Sequence, residues 1–384
     1  MLHDVPSARE RGPLAAAPGT GRARHLWPVN PRQPQDGELT SDVVTRTRRV
    51  LLLEDVHADA AVHLRKAGFD VDHRTTAMSE DELVESVRDI ELLGIRSATR
   101  VTRRVISAAT HLKAIGAFCI GTNQIDIPAA NERGIAVFNA PYSNTRSVVE
   151  LAIAEIISLT RRLPERNAAL HAGVWQKTAA GANEVRGRCL GIIGYGSIGS
   201  QLSVIAEALG MTVVFYDVAD RLPLGTARRC ASMQELLQLA DAVTLHVDGR
   251  VENAGLIADA ELALMKPGSI LLNLSRGSVV DLAALHRHLD TGHLAGAAID
   301  VFPDEPKRSG AGFHHELQGR SNVILTPHIG GSTQEAQQNI AAVVAEKLRG
   351  YAVDAATASC VNVPVAVAAG VSTHPAAARP NAGH

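Results

Sequence analysis

The stretch from Cys189 to Ser200, CLGIIGYGSIGS, decides how the chain is divided. Its first residues are apolar and suit a buried strand, Gly194, Gly196 and Gly199 suit a tight turn, and SQLSVIAEALG continues with helical spacing. Strand, glycine turn and helix in this order leave free N–H groups and the positive end of a helix dipole where a pyrophosphate can sit. The next apolar run, TVVFYD, ends on Asp217, 18 residues past Gly199, where a carboxylate can accept hydrogen bonds from an adenosine ribose. An acid there repels a 2'-phosphate, so NAD is preferred over NADP, with Arg221 pulling the other way.

Nearly half of the 384-residue chain precedes that turn. RVLLLED, FDVDHRT, ELLGIRS, LKAIGAFC and IAVFNA read as strands separated by helices, one of them opened by a capping box from Ser79 to Glu82. A single long helix is expected from about Asn144 to Ala169. Beyond it CLGIIG, TVVFYD, AVTLHV, SILLNLS, AGAAIDVF and NVILTPH make six strands, again alternating with helices or crossovers. This rhythm predicts an α/β protein with two doubly wound parallel sheets. The last helix, TQEAQQNIAAVVAEKLRGY, is expected to return to the first domain. Residues 1–44 and 367–384, rich in Pro, Ala and Gly without periodicity, are expected to be disordered.

The 38 basic and 40 acidic residues leave a formal charge of -2, which offers no field for drawing in nucleic acid or an anionic membrane. Four scattered cysteines favour neither a zinc site nor a disulfide framework, and no metal is expected. The absence of a secretion signal and of an apolar run of roughly 18 residues points to a cytoplasmic protein.

Three polar residues follow strands of the second set, at the sheet edge where open α/β folds bind ligands. Arg276, in NLSRGSVVD, can grip a carboxylate in two-pronged fashion. Glu305, in DVFPDEP, and His328, in TPHIGGST, suit a carboxylate–imidazole pair that keeps an acid/base group near neutral pH. Among 16 histidines, His328 gains meaning only in that company.

The segments GYGSIG, NLSRGSVVD, AIDVFPDEP and TPHIGGST, in this order, resemble the D-isomer-specific 2-hydroxyacid dehydrogenases. GAFCIGTNQIDIPAANERGIAVFNAPYSNTRSVVEL and GVWQKTAAG narrow the likeness to the bacterial D-3-phosphoglycerate dehydrogenase branch, from about residue 49 to about residue 364. The resemblance implies a Rossmann NAD domain (144–330) inserted into a flavodoxin-like substrate domain (45–143 and 331–366). It implies that Arg276 holds the substrate carboxylate and carbonyl, that Glu305 partners the histidine and that His328 moves the proton. Besides Gly194, Gly196, Gly199 and Asp217, the residues Ser197, Ile198, Ser275, Asp300 and Gly330 would touch NAD. Substrate-anion roles fall on Arg96, Ser97 and Asn144, and by weaker match on Arg74, Lys177 and Gln337.

The implied reaction is NAD-dependent oxidation of D-3-phosphoglycerate to 3-phosphohydroxypyruvate, with 2-oxoglutarate as a further substrate of some relatives. The alternatives are a glyoxylate or hydroxypyruvate reductase and an NAD-sensing protein without catalysis. The small anionic acid is the expected partner, together with a second copy of the chain in a homodimer contacted through Trp175. Two departures stand out: Asp248 in HVDGRVENAGLI occupies a proline position, and Ala98 an arginine position of some relatives. Many such enzymes carry a serine-binding ACT domain after a segment like VNVPV. Here only AVAAGVSTHPAAARPNAGH follows, so activity is expected to ignore L-serine.

Overall fold

The computed structural model describes residues 48–306 and 310–362. The stretches 1–44 and 367–384, expected to be disordered, lie outside the described residues. Five strands come first: β1 Arg49–Leu52, β2 Asp70–His73, β3 Leu92–Ile95, β4 Ala114–Ala117 and β5 Ala136–Phe138. They form one parallel sheet in the order β2-β1-β3-β4-β5. Seven more follow: β6 Cys189–Ile193, β7 Thr212–Tyr216, β8 Arg228–Arg229, β9 Ala242–Leu245, β10 Ser269–Asn273, β11 Leu294–Ile299 and β12 Val323–Leu325. These pair in parallel as β12-β11-β10-β9-β6-β7-β8. Every residue of β3, β4, β9 and β10 is buried, as strands covered by helices on both faces must be.

Both sheets reverse strand order beside their first strand, between β1 and β3 and between β6 and β9. At such switch points the loops leave in opposite directions and open a crevice beyond the C-terminal strand ends. Glu54, Arg96, Cys119, Gly194, Asp217, His246, Ser275, Asp300 and His328 all lie just past strand ends on those edges.

The helix Gln334–Asp354 contributes Ile340, Ala341, Val344, Ala345 and Leu348 to the core that also holds Val50, Leu52, Leu64 and Phe138. The chain continues along β5, where Val361 N–H donates to Val137 O and Val137 N–H to Asn362 Oδ1, each at 2.7 Å. The late segment therefore completes the first sheet's helical layer and edge.

Two sequence expectations need correction. The helix expected from Asn144 to Ala169 is two, Thr145–Thr160 and Leu163–His171, separated at Arg162 with a left-handed φ of 57°. Pro164 is the cause: it has no N–H to donate and its ring clashes with the preceding turn, so a new helix must start there. The second sheet has seven strands instead of six. The extra one, β8, is an exposed pair of arginines with no apolar signature.

Candidate active site

The turn after β6 fits the phosphates of a dinucleotide. Gly194 adopts a φ of 93°, and a Cβ there would lie 2.5 Å from His246 O, so only glycine combines this conformation with this approach. A Cβ at Gly199 would collide with Gly194 O, which keeps the helix tight against the strand. Gly196, in contrast, has nothing within 4 Å of its Cβ position. It precedes the helix Ser197–Ala208 without any side-chain cap, so the first N–H groups are available to an anion. Ser197 is exposed and Ile198 half-buried on that first turn.

Asp217 is held beside the turn by Tyr195 N–H to Oδ2 and Ala219 N–H to Oδ1, both at 2.8 Å. Arg221 Nε stands 3.7 Å from Oδ2. Asp248, at the proline position, ties its own loop: Arg250 Nε donates to Oδ1 at 2.7 Å and Asn253 Nδ2 at 2.9 Å. Hydrogen bonds thus do there what a ring would do. His246, beneath the turn, is half-buried with Nε2 3.0 Å from Thr244 Oγ1 and Nδ1 sealed from solvent, and burial of the ring pulls its pKa down to about 4. It is a neutral structural imidazole, unsuited to proton transfer near pH 7.

On the other side of the switch point, His328 Nδ1 lies 2.8 Å from Glu305 Oε2. Glu305 is oriented in turn by Phe302 N–H, which donates to Oε1 at 3.1 Å. The Glu305 hydrogen bond and charge raise the His328 pKa above its ordinary value, against the opposing effects of burial and of Arg276. Burial raises the Glu305 carboxyl, but the bonds from His328 and Phe302 outweigh it and leave the pKa lowered. With Nδ1 committed to the carboxylate, Nε2 is the nitrogen free to face a ligand.

Arg276 lies close to both. Its Nη1 donates to Ser275 O at 2.6 Å, and its Nη2 is 3.9 Å from the Cβ position of Gly121 in the loop after β4. The guanidinium therefore spans from the second sheet to the edge of the first. The glycine after it has a reason: a side chain at Gly277 would run into the Phe302 backbone, separating the loops of Arg276 and Glu305.

The loop carrying His328 rests on Asp300, 1% exposed. Thr326 Oγ1 and Ile329 N–H donate to Oδ1 at 2.6 and 2.8 Å, and Gly330 N–H to Oδ2 at 2.8 Å. His328 N–H donates to Asp300 O at 2.7 Å, and the residue has a left-handed φ of 54°. Such a backbone in a non-glycine residue persists where surroundings over-determine it. Ser275 is buried, with N–H and Oγ both on Asn273 Oδ1.

The residues suggested for the substrate anion separate into groups. Arg96 and Ser97 lie past β3 beside the Cys119–Gly121 loop, linked to it by Gln124 Nε2, which donates to Arg96 O at 2.6 Å and Gly121 O at 3.3 Å. Asn144 is the N-cap residue of the helix Thr145–Thr160, and Gln337 lies in the first turn of the helix Gln334–Asp354; a Cβ on Gly331 would strike Asn144 Nδ2. Arg74 is occupied elsewhere, its Nη2 2.7 Å from Asp72 in a groove shared with Asp70, Glu85 and Asp89. Lys177 is exposed on the segment after the helix Leu163–His171. Sequence reasoning missed Glu54, Gln124 and Gly249. Gly249 leaves room for the Arg276 stem, whose Cγ is 3.1 Å from its Cβ position. For Glu54 the sequence offered only an acid two residues past the first strand, with nothing to name its partners.

Among the described residues no cluster of His, Cys, Asp or Glu could hold a metal, and no helix is long and apolar enough to cross a membrane. Residues 153–330 match the family described as D-isomer specific 2-hydroxyacid dehydrogenase, NAD binding domain. The chain is 52% identical over 317 residues to D-3-phosphoglycerate dehydrogenase of Escherichia coli (strain K12), covering 82% of this chain and 77% of that one. It is 48% identical over 327 residues to the enzyme of the same name from Dictyostelium discoideum, covering 85% and 80%. Among solved structures, D-lactate dehydrogenase from Aquifex aeolicus, complexed with NAD and lactic acid, superposes with a TM-score of 0.71 at 27% identity, covering 81% of this chain and 98% of that one. Sheet order, glycine turn and relatives agree: the chain belongs to the D-isomer-specific 2-hydroxyacid dehydrogenases.

Proposed function

We propose that the protein oxidises D-3-phosphoglycerate to 3-phosphohydroxypyruvate with NAD, the entry to L-serine synthesis. The observation that carries this reading is the His328–Glu305 pair beside Arg276, facing the crevice between the two sheet edges. The choice of acid follows the relatives that bear the name D-3-phosphoglycerate dehydrogenase. Residues 45–143 and 331–366 form the substrate domain in this reading, and residues 144–330 the cofactor domain.

Bound NAD supplies the acceptor for the hydride that leaves C2. His328 Nε2 takes the proton from the 2-hydroxyl, and Glu305 stabilises the imidazolium that results. Arg276 grips the carboxylate and polarises the oxygen at C2 as it becomes a carbonyl. Arg96 and Ser97 meet the phosphate. In the reverse direction imidazolium returns the proton to that oxygen.

A homodimer and a cytoplasmic location belong to the same proposal. Trp175 is 78% exposed, and Leu163, Leu170 and Val174 of the same arm are also exposed, an apolar group suited to a second copy. Sedimentation of Trp175→Gly tests the dimer, and cell fractionation the location. For the activity, NADH formation is followed with D-3-phosphoglycerate, D-lactate, glycolate and 2-hydroxyglutarate. The highest kcat/KM is expected with the phosphorylated acid; preference for an unphosphorylated one would overturn the substrate assignment.

A further inference from the structure

The turn after β1 binds the neighbouring loops in an unusual way. Glu54 and Asp55 are successive non-glycine residues with left-handed φ of 64° and 51°. Their N–H groups donate to Thr76 O and Arg74 O, each at 3.2 Å, which fastens the turn to the chain leaving β2. This conformation carries the Glu54 side chain into the loop after β3. There Oε1 accepts Arg96 N–H at 3.1 Å and Thr99 N–H at 2.9 Å, while Oε2 accepts Ala98 N–H at 2.8 Å. The carbonyl face of the same loop is held by the buried Gln124.

Successive backbone N–H groups converging on one point form a nest that binds anions, and in this loop an internal carboxylate fills it. We infer that Glu54 is a positioning residue of the substrate site: by occupying the amide nest of Arg96–Thr99, it leaves the incoming anion to the Arg96 and Ser97 side chains. An anion drawn to those amides would sit inside the loop. With Glu54 in place it is met outside, on the crevice side where Arg276 reaches toward Gly121. The inference rests on the proposed role of Arg96 and Ser97, and Glu54 itself touches neither substrate nor cofactor.

The test compares Glu54→Ala and the milder Glu54→Gln with the parent protein in two readouts. Amide hydrogen exchange follows Arg96, Ala98 and Thr99 against the buried amides of β3. Steady-state kinetics separate KM for D-3-phosphoglycerate from kcat, with NADH binding as control. In Glu54→Ala, exchange at the three amides should speed up and KM rise, each by roughly tenfold, the effect expected from losing hydrogen bonds to a charged acceptor. The change in kcat should stay within about threefold, because the proton-transfer pair is untouched. Glu54→Gln, keeping one acceptor oxygen, should fall between. Unchanged exchange, or faster exchange with an unchanged KM, would overturn the inference. Failure of the parent protein to turn over D-3-phosphoglycerate would instead overturn the functional reading, and the exchange arm would still decide whether Glu54 holds the loop.

Discussion

The two sheet edges facing the crevice are built on the same device and differ in how deeply it is set. In each, one carboxylate collects three donors from a loop, and in each a non-glycine residue takes a left-handed backbone. Asp300 lies under the His328 loop at 1% exposure, whereas Glu54 is half-buried in the loop of Arg96. The buried clamp serves the residue proposed to move a proton, which must sit within hydrogen-bond reach of one atom. The shallower clamp serves recognition of an anion by a long, flexible arginine, which tolerates more movement. The comparison teaches that depth of the clamp follows the positional demand of what it holds.

The largest effect should come from the chemical edge. His328→Asn removes the acid/base while leaving the Gly194 turn intact, so kcat should fall by roughly 100-fold or more with NADH binding little changed. Near-normal turnover would break the comparison at its root, because the deep clamp would then serve no proton transfer.

Next comes the clamp itself. Asp300→Asn keeps one acceptor oxygen and turns an NH2 group toward N–H and O–H donors it cannot accept, at a position that is buried. Stability should drop by about 2–4 kcal/mol, and the matched Glu54→Gln by about 1–2 kcal/mol, since solvent can replace part of what the shallower site loses. Urea unfolding of both variants measures this directly. Equal losses would show that depth has no bearing on the strength of the clamp.

How much of this was legible beforehand follows from distance along the chain. The glycine turn, Asp217, Arg276, Glu305 and His328 each sit in a short segment whose own pattern announces a strand followed by a turn, so their place at the sheet edge could be read. Glu54 could not, because its partners are 42 to 45 residues away and nothing in LLED states that its side chain will enter another loop. Asp248 is similar: its departure from relatives was visible, but its bonds to Arg250 and Asn253 were not. The helix break at Arg162 was legible in Pro164, yet the continuous apolar spacing on either side masked it. The two-residue β8 offered no signal at all.

A smaller effect concerns pH. The Glu305 hydrogen bond raises the His328 pKa above its ordinary value. Oxidation requires the neutral imidazole, so its rate should climb as pH rises through that raised pKa. Reduction requires imidazolium and should decline over the same range. Glu305→Gln removes the charge that favours the imidazolium, and both limbs should therefore move to lower pH. Profiles measured in both directions check this, and limbs that stay in place would detach His328 from the pH dependence.

The smallest effect on turnover comes from testing what depth does without donors. Glu155, on the helix Thr145–Thr160, is 2% exposed, and neither carboxyl oxygen has a hydrogen-bond partner. Burial, with a contribution from the Asp300 charge, pushes its pKa up from 4.5 to about 8. Below the ordinary carboxylate range Glu155 is protonated in folded and unfolded chains alike, and pH has no hold on it. Between there and about 8 the folded chain keeps a proton that the unfolded chain has released, so stability falls as pH rises. Above that window both forms are ionised and the loss is complete. Glu155→Gln has nearly the same volume and cannot titrate. Its stability relative to the parent should therefore improve by about 1–3 kcal/mol between pH ~5 and pH ~8, with turnover changed less than about threefold. Urea unfolding at the two pH values measures the difference. Parallel curves would mean that this carboxyl finds donors after all, leaving Asp300 and Glu155 with no contrast to explain.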